Sequence, residues 1–326
     1  MIGTLLALLV FFSLFGIFLT QYVPLWMTDN EATLTAQASA SFAQFKSSVD
    51  QQYALDGPQT YGTPFTLSSQ GVPLIAQPTE GTLTFIPTTC PSGFLTPSNG
   101  GVAGDYGLPR NANYCVYLNV TESYGPGGST NYAQAIQAGI LELSLPNRYY
   151  TPETFYFEND AVIQSQSTGY QIMAVPPPLN ISYTPANTSV SGSILQLFGN
   201  ASTVVGQGSE DVYSNLRYSQ TVASNGKLVA GVQEPLVFTF TVGTQYPCAW
   251  DPYLYNLVTT SGMPAADYAL STNVNGTPTT ALTPTYTGSC FNVDGVTTQL
   301  SFELKFANYA TLYLAGVQVG IGLGGS

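Results

Sequence analysis

The sequence predicts an α+β protein, in which one long N-terminal helix is followed by a β-sandwich-type, mostly antiparallel region. Three observations support this class. No charged side chain precedes Asp29, and the residues after it repeat apolar side chains at helical spacing. From Gln59 onward, short apolar–polar alternations are separated by turn sequences, which is typical of strands.

Residues 1–28 are predicted to form the apolar half of the helix. As a helix this uncharged segment is about 40 Å long, enough to span a bilayer. Pro24 lacks a backbone donor and predicts a kink or local opening. Signal peptides and ordinary anchors carry basic flanks, but the first basic residue here is Lys46. We therefore expect a mature N-terminus from which a basic leader has been removed.

Residues 29–56 are predicted to form an amphipathic half that continues the same helix. Its apolar residues recur three and four positions apart along one face, at Leu34, Ala38, Phe42, Phe45, Val49 and Tyr53. The sequence Asp56-Gly57-Pro58 predicts the end of the helix, with glycine at the terminus and proline after it.

The rest of the chain reads as strands and turns. Phe302, Leu304 and Phe306 alternate with polar neighbours, as in a half-buried strand. The stretch TNYAQAIQAGILEL, near 130–143, predicts a helical interruption. Three consecutive prolines at 176–178 favour a boundary between β-rich modules at 57–178 and 179–326. The alternative is a single β domain in which these prolines cross between sheets.

The composition argues against several classes of function. Only 7% of the residues are charged, the net charge is −12, and the six basic residues are scattered, which argues against nucleic acid as a partner. Histidine is absent, so Ser–His, Cys–His and HExxH arrangements are excluded. No nucleotide-binding glycine motif is present, and we predict no catalytic residue, no metal site, no cofactor and no enzyme activity. Ser209–Asp211 and Asp251 are conceivable calcium ligands, but solvated turn carboxylates are the preferred interpretation. A charge-poor chain also suits an acidic exterior, because few groups titrate on acidification.

Two post-translational features are predicted. The four cysteines form no CxxC pair, and their even number fits two disulfides in an oxidising compartment. The simplest pairing is Cys90–Cys115 and Cys248–Cys290, while the other two pairings and free thiols stay open. Five N-x-S/T sequons are candidate sites for N-linked glycans, although several would arise by chance in a chain this rich in Ser and Thr: Asn119, Asn180, Asn187, Asn200 and Asn275.

The helix of residues 1–55 resembles type IV pilins, specifically the archaeal pilin and archaellin superfamily. The resemblance rests on an apolar half with a proline near its end, followed by an amphipathic half ahead of a β domain. Ile2-Gly3-Thr4-Leu5 is similar to the start of archaellins, and Leu5 stands where bacterial pilins carry a glutamate. The stretch 147–178 also resembles a segment of archaeal surface proteins that have the same helical N-terminus.

The resemblance implies a subunit whose leader is removed by a membrane peptidase and whose apolar half waits in the membrane before it packs with copies of itself. We expect an extracellular, pilus-like helical polymer that serves adhesion or cell–cell contact. One alternative is a monomeric, membrane-anchored extracellular binding protein, and another is an archaellin used for motility. Six residues are expected to form the filament core: Leu5, Leu8, Phe11, Phe12, Phe15 and Phe18.

Overall fold

The computed structural model describes residues 2–55, 59–72, 75–87, 117–124, 129–206, 208–225, 228–229, 232–233, 236–274, 277–279 and 298–322. Within these ranges a long N-terminal helix is followed by a mostly antiparallel β region, so the predicted α+β class is confirmed.

The N-terminal helix has three parts. Helix α1 (Ile2–Ile17) runs into a π turn (Phe18–Tyr22), which continues as helix α2 (Val23–Leu55). Helix α3 (Pro247–Thr259) lies within the β region and begins with a proline, where the missing N–H would have no helical partner.

The described strands form three larger sheets and one two-stranded ladder. The first sheet contains, in spatial order, β1 (Thr60–Thr66), β12 (Ser209–Asn225), β19 (Tyr309–Ile321), β10 (Asn187–Phe198) and β9 (Asn180–Thr184). The second contains β11 (Ser202–Gly206), β2 (Gly81–Ile86), β5 (Ile140–Leu145), β6 (Glu153–Glu158), β7 (Ala161–Gln166) and β8 (Gln171–Val175). The third contains β17 (Thr277–Thr279), β16 (Tyr268–Val274), β18 (Thr298–Ala307), β15 (Leu236–Thr244), β3 (Tyr117–Tyr124) and β4 (Ser129–Gln137). Strands β13 (Leu228–Val229) and β14 (Val232–Gln233) pair with each other.

Two hydrophobic cores share the first sheet. The helix core lies between α2 and the first and second sheets, and the second core lies among the third sheet, α3 and the first sheet. In β19, Val317 and Val319 belong to the helix core, whereas Leu312 and Leu314 belong to the second core. Successive side chains of a strand point to opposite faces, so the two ends of β19 use opposite faces of one sheet.

The sheets do not follow the predicted module boundary after Pro178. Strand β1 pairs with β12, β2 with β11, and β3 with β15, so each larger sheet combines strands from both sides of that position. The proline run joins β8 of the second sheet to β9 of the first.

The helical interruption expected near 130–143 is wrong, because this stretch forms β4 and β5. Leu141, Leu143 and Leu145 alternate into the helix core, which is the period of a strand. Gly139, between the two strands, packs so closely on Phe85 that a Cβ would lie 2.7 Å from its ring. Tertiary packing therefore overrides the helix-forming composition of the stretch.

Candidate assembly and membrane segment

Helix α1 is an uncovered apolar rod. None of its residues is buried, and the helix is long and apolar enough, by length and composition, to cross a membrane. Of the six residues expected in a filament core, Phe18 is half-buried and the other five have exposed fractions between 42% and 71%. At 100° per residue these six lie within an arc of about 140° on the helix. The predicted core residues therefore share one face, although the other faces of α1 are apolar too.

Aromatic side chains extend this face past the end of α1. The ring centroids of Phe11 and Phe15 are 6.0 Å apart, and those of Phe15 and Phe18 are 6.5 Å apart. Phe18 then contacts Tyr22 at 6.2 Å and Trp26 at 5.5 Å. These ring contacts within one helix form a continuous aromatic strip, which a neighbouring molecule could contact.

Pro24 lies two residues after a π turn. The Val23 N–H donates to the carbonyl of Phe18, five residues back, which is the π pattern. Proline cannot donate to the carbonyl four residues before it, and its ring would clash with that carbonyl in a regular helix. The wider turn is a way to accommodate the proline without ending the helix, and α2 continues to Leu55.

One face of α2 is built into the helix core. The buried positions follow helical spacing from its first turn to its last: Val23, Met27, Glu31, Leu34, Thr35, Ala38, Phe42, Phe45, Lys46, Val49 and Gln52. Five of the six residues predicted for this stripe are buried, and Tyr53 packs against the core as a partly buried side chain. The stripe begins at Val23, six residues before the predicted amphipathic half. Phe42 meets Phe65 at 5.0 Å and Phe45 meets Phe157 at 5.2 Å, both edge to face.

Glu31 is a buried carboxylate in the middle of this stripe. It accepts hydrogen bonds from the Thr79 hydroxyl and from three consecutive backbone N–H groups: that of Arg148 at 3.1 Å, and those of Tyr149 and Tyr150 at 2.7 Å each. Burial alone would raise the pKa of Glu31, but these hydrogen bonds together lower it below its ordinary value. The arrangement ties α2 to the segment that connects β5 and β6.

Further hydrogen bonds surround Glu31. The Asn147 amide donates to the Thr35 hydroxyl at 3.1 Å and to the Thr151 carbonyl at 3.0 Å. The Thr28 hydroxyl donates to the carbonyls of Pro24 at 2.9 Å and of Tyr149 at 3.4 Å. Residues 147–151 are thus held beside the first turns of α2.

A buried ion pair fixes the other end of α2. The Lys46 ammonium lies 2.7 Å from an Asp160 oxygen and 3.3 Å from Asp50. The second Asp160 oxygen accepts a hydrogen bond from the Ser193 hydroxyl at 2.8 Å, and the Tyr53 hydroxyl donates to Asp50 at 2.9 Å. Burial raises the pKa of Asp160 to about 6, and the charge of Lys46 opposes part of that rise.

The backbone around Asp160 is a tight hairpin turn. Asn159 and Asp160 have φ of 46° and 64°, and Glu158 pairs with Ala161 on either side of them. Two consecutive left-handed residues are typical of a type I′ turn, which Asn and Asp tolerate. The turn brings the Asp160 carboxylate to Lys46.

Glu158 is a third buried carboxylate with a shifted pKa. It accepts hydrogen bonds from the Thr244 hydroxyl and from the Trp250 indole N–H, the latter at 2.7 Å. Burial raises the pKa of Glu158 to about 7 despite these two bonds.

Sequence reasoning missed Glu31, Asp160 and Glu158. Glu31 follows the buried Met27 by four positions, so the helical stripe contained a signal for its position though not for its partners. Arg148 to Tyr150 and Asp160 belong to the stretch 147–178 that resembles archaeal surface proteins, and the structure places both of these parts against α2.

The structure describes some of the predicted modification sites. Cys248, in α3, is in a disulfide, but Cys90, Cys115 and Cys290 lie outside the described residues, so the pairing stays a prediction. The sequon residues Asn180, Asn187 and Asn200 are exposed. Asn119 lies in β3, and Asn275 is outside the described residues. Among the described residues no three His, Cys, Asp or Glu side chains cluster as metal ligands would.

A cavity of about 280 Å³ lies between β8 and α3. Gln171, Met173, Cys248, Tyr253 and Asn256 are among its lining residues. The Gln171 side chain is buried, and neither its amide nitrogen nor its oxygen has a hydrogen-bond partner among the described residues. A buried amide without hydrogen-bond partners is energetically costly.

Comparison with protein-family models, with curated proteins and with solved structures finds no match for this chain.

Proposed function

We propose that the protein is a structural subunit of an extracellular, archaeal type IV pilus-like filament, inserted in the membrane before assembly. One observation carries this proposal. Helix α1 has no buried residue, yet it continues directly into the 33-residue helix α2, which is fastened to the β region. The chain thus pairs an uncovered apolar rod with a rigidly attached exterior domain.

Burial of the rod supplies the driving force. Residues 2–19 represent on the order of 20 kcal/mol or more of gross hydrophobic transfer per subunit. Much of this free energy is already gained when the helix lies in lipid. The equilibrium between inserted subunit and filament therefore depends on how well the face with Leu5, Leu8 and Phe11 packs against neighbouring copies. Lys46, the first basic residue, is buried with Asp160 and so does not supply a cytoplasmic basic flank.

The filament would be used for adhesion or cell–cell contact, which is the use that the resemblance to archaeal pilins suggests. Motility, as in archaellins, is the alternative use of the same polymer. Deletion of the gene tests the two: loss of surface attachment with normal swimming supports adhesion, and loss of swimming supports an archaellin.

A monomeric, membrane-anchored binding protein is the second candidate. The cavity beside Gln171 favours it, since that amide is buried without a partner among the described residues. The same helix would then serve only as an anchor.

Shearing of the cell surface without detergent, followed by electron microscopy of the released protein, separates these candidates. Regular filaments are expected, whereas isolated particles that stay with the membrane would favour the anchored monomer. Leu8→Asp should abolish filaments and leave a folded β region, because a carboxylate would enter the packed core. Leu8→Met, which keeps the size and polarity of the side chain, should retain them. Filaments that survive Leu8→Asp would remove α1 as the polymer core.

A further inference from the structure

The β region begins to contact the N-terminal helix directly after the exposed apolar segment ends. Burial along α2 begins at Val23 and Met27, while nothing in α1 is buried. Since Ile2–Tyr22 as a helix is about 31 Å long, it matches the roughly 30 Å hydrocarbon core of a bilayer. When this segment spans a membrane, the part of the β region that packs on the first turns of α2 therefore lies at the lipid headgroups.

Exposed aromatic side chains gather at this level. Tyr22 and Trp26 lie on the helix, and Tyr149 and Tyr150 lie on the segment held beside Thr28 and Glu31. Their exposed fractions range from 37% to 52%. From Tyr22 to Thr28 the helix rises about 9 Å, comparable to the headgroup layer on one side of a bilayer.

The chemistry of these side chains fits that layer. Tyrosine and tryptophan combine an apolar ring with a polar tip, and they concentrate at membrane–water interfaces. Arg148, which is exposed beside the two tyrosines, adds a guanidinium that suits lipid phosphates in a chain of net charge −12. The position of Tyr149 and Tyr150 is fixed, because their backbone N–H groups bind the buried Glu31 carboxylate.

We propose that the β region rests on the bilayer through an aromatic collar, made of Tyr22, Trp26, Tyr149 and Tyr150, while α1 spans the membrane. This inference rests on the membrane-inserted stage of the proposed function. The partner is the boundary between headgroups and acyl chains of a zwitterionic bilayer, since Arg148 is the one cation beside the collar among the described residues and anionic lipid is not needed. The collar sets the height and orientation of the subunit before assembly.

Tryptophan fluorescence tests the collar with the full-length chain. The sequence has two tryptophans, of which Trp250 is buried and Trp26 is exposed. In a Trp26→Phe, Trp250→Phe background, Tyr149→Trp places a single reporter on the collar. The protein is reconstituted into phosphatidylcholine vesicles brominated either near the headgroup or deep in the acyl chains, with far-UV circular dichroism as the check on folding.

Tyr313→Trp in the same background is the matched control. Tyr313 is 50% exposed, and it pairs across the first sheet with Ser193, whose hydroxyl accepts a hydrogen bond from Tyr53. Tyr53 follows Thr28 by 25 positions, so this control lies roughly 37 Å farther along the helix.

The expected result is strong quenching of the Tyr149→Trp reporter by the shallow bromine label, weaker quenching by the deep label, and no quenching of the Tyr313→Trp reporter. If the Tyr149→Trp reporter is not quenched while Trp26 of the Trp250→Phe variant is, the helix spans the bilayer but the collar is wrong. If Trp26 is not quenched and the protein fails to float with vesicles, membrane insertion is wrong and the collar falls with it. Should Tyr149→Trp fail to fold, Tyr150→Trp replaces it.

Discussion

Replacement of Glu31 by glutamine tests how α2 is fastened to the β region. The carboxylate accepts bonds from one hydroxyl and three backbone N–H groups. Glutamine keeps the shape but removes the charge and one acceptor. If the new amide oxygen takes the position that faces the backbone, it still accepts hydrogen bonds from the N–H groups of Tyr149 and Tyr150. The amide nitrogen then faces the Thr79 hydroxyl, which can rotate to accept a hydrogen bond from it.

The magnitude follows from the bonds that change. A hydrogen bond to a charged group contributes about 1 kcal/mol more than a neutral one, and three or four such bonds lose this difference. We expect Glu31→Gln to cost about 3 kcal/mol of unfolding free energy, and Glu31→Ala more, because alanine leaves three backbone N–H groups without their carboxylate partner.

The assay has a global and a local readout. Urea unfolding of the full-length chain in detergent, followed by Trp250 emission in a Trp26→Phe background, gives the free energy of unfolding. Amide hydrogen exchange of residues 149 and 150 reports local opening, and about 3 kcal/mol corresponds to exchange faster by roughly a hundredfold.

Asp29→Asn is the matched control, because Asp29 lies in the same turn of α2 but is exposed. It should stay within about 0.5 kcal/mol of the parent protein. If Glu31→Gln is as mild as Asp29→Asn, and exchange at 149 and 150 is unchanged, the buried carboxylate does not fasten the helix.

Two further predictions concern the buried carboxylates. The fold raises the pKa of Glu158 from 4.5 to about 7 and that of Asp160 from 3.8 to about 6, so between these values the folded state holds more protons than the unfolded chain. The free energy of unfolding should therefore rise by about 4 kcal/mol as pH falls from 8 to 5. Glu31, with its lowered pKa, acts in the opposite sense below its ordinary value. Thermal melts at several pH values check this, and a melting temperature that falls steadily from pH 8 to pH 5 would contradict it. Lys46→Met should cost about 3–5 kcal/mol by removing the cationic partner of the buried Asp160 carboxyl, whereas Lys46→Met with Asp160→Asn should recover most of that loss. Urea midpoints of the two single variants and the double variant measure the coupling, and strictly additive effects would rule it out.

The sequence was sufficient for the helix and its docking face. Leu34, Ala38, Phe42, Phe45 and Val49 are buried as predicted, because helical spacing is a local property. It was insufficient where distant packing decides, as for β4 and β5, whose alanines, glutamines and leucines favour helix but lie in sheets. It also missed α3, since Pro252 lies inside that helix, where proline is usually disfavoured.

The contacts of Glu31 were beyond sequence reasoning for a different reason. Three of its four donors are backbone N–H groups, which every residue except proline has, so no residue type marks Arg148 to Tyr150 as the partner segment. Lys46 and Asp160 are a recognisable charge pair, but only the type I′ turn at Asn159–Asp160 brings them together.

The parallel pairing of β10 with β19 has a consequence for biogenesis. Strand β19 lies in the middle of the first sheet, and its Ala315, Val317 and Val319 form part of the surface on which α2 rests. The helix is made first, yet its seat is completed by residues near the other end of the sequence. Such distant contacts close slowly. If α1 enters a membrane during synthesis, as proposed, it does so before β19 is made, and a chain truncated ahead of β19 would leave part of the apolar face of α2 uncovered.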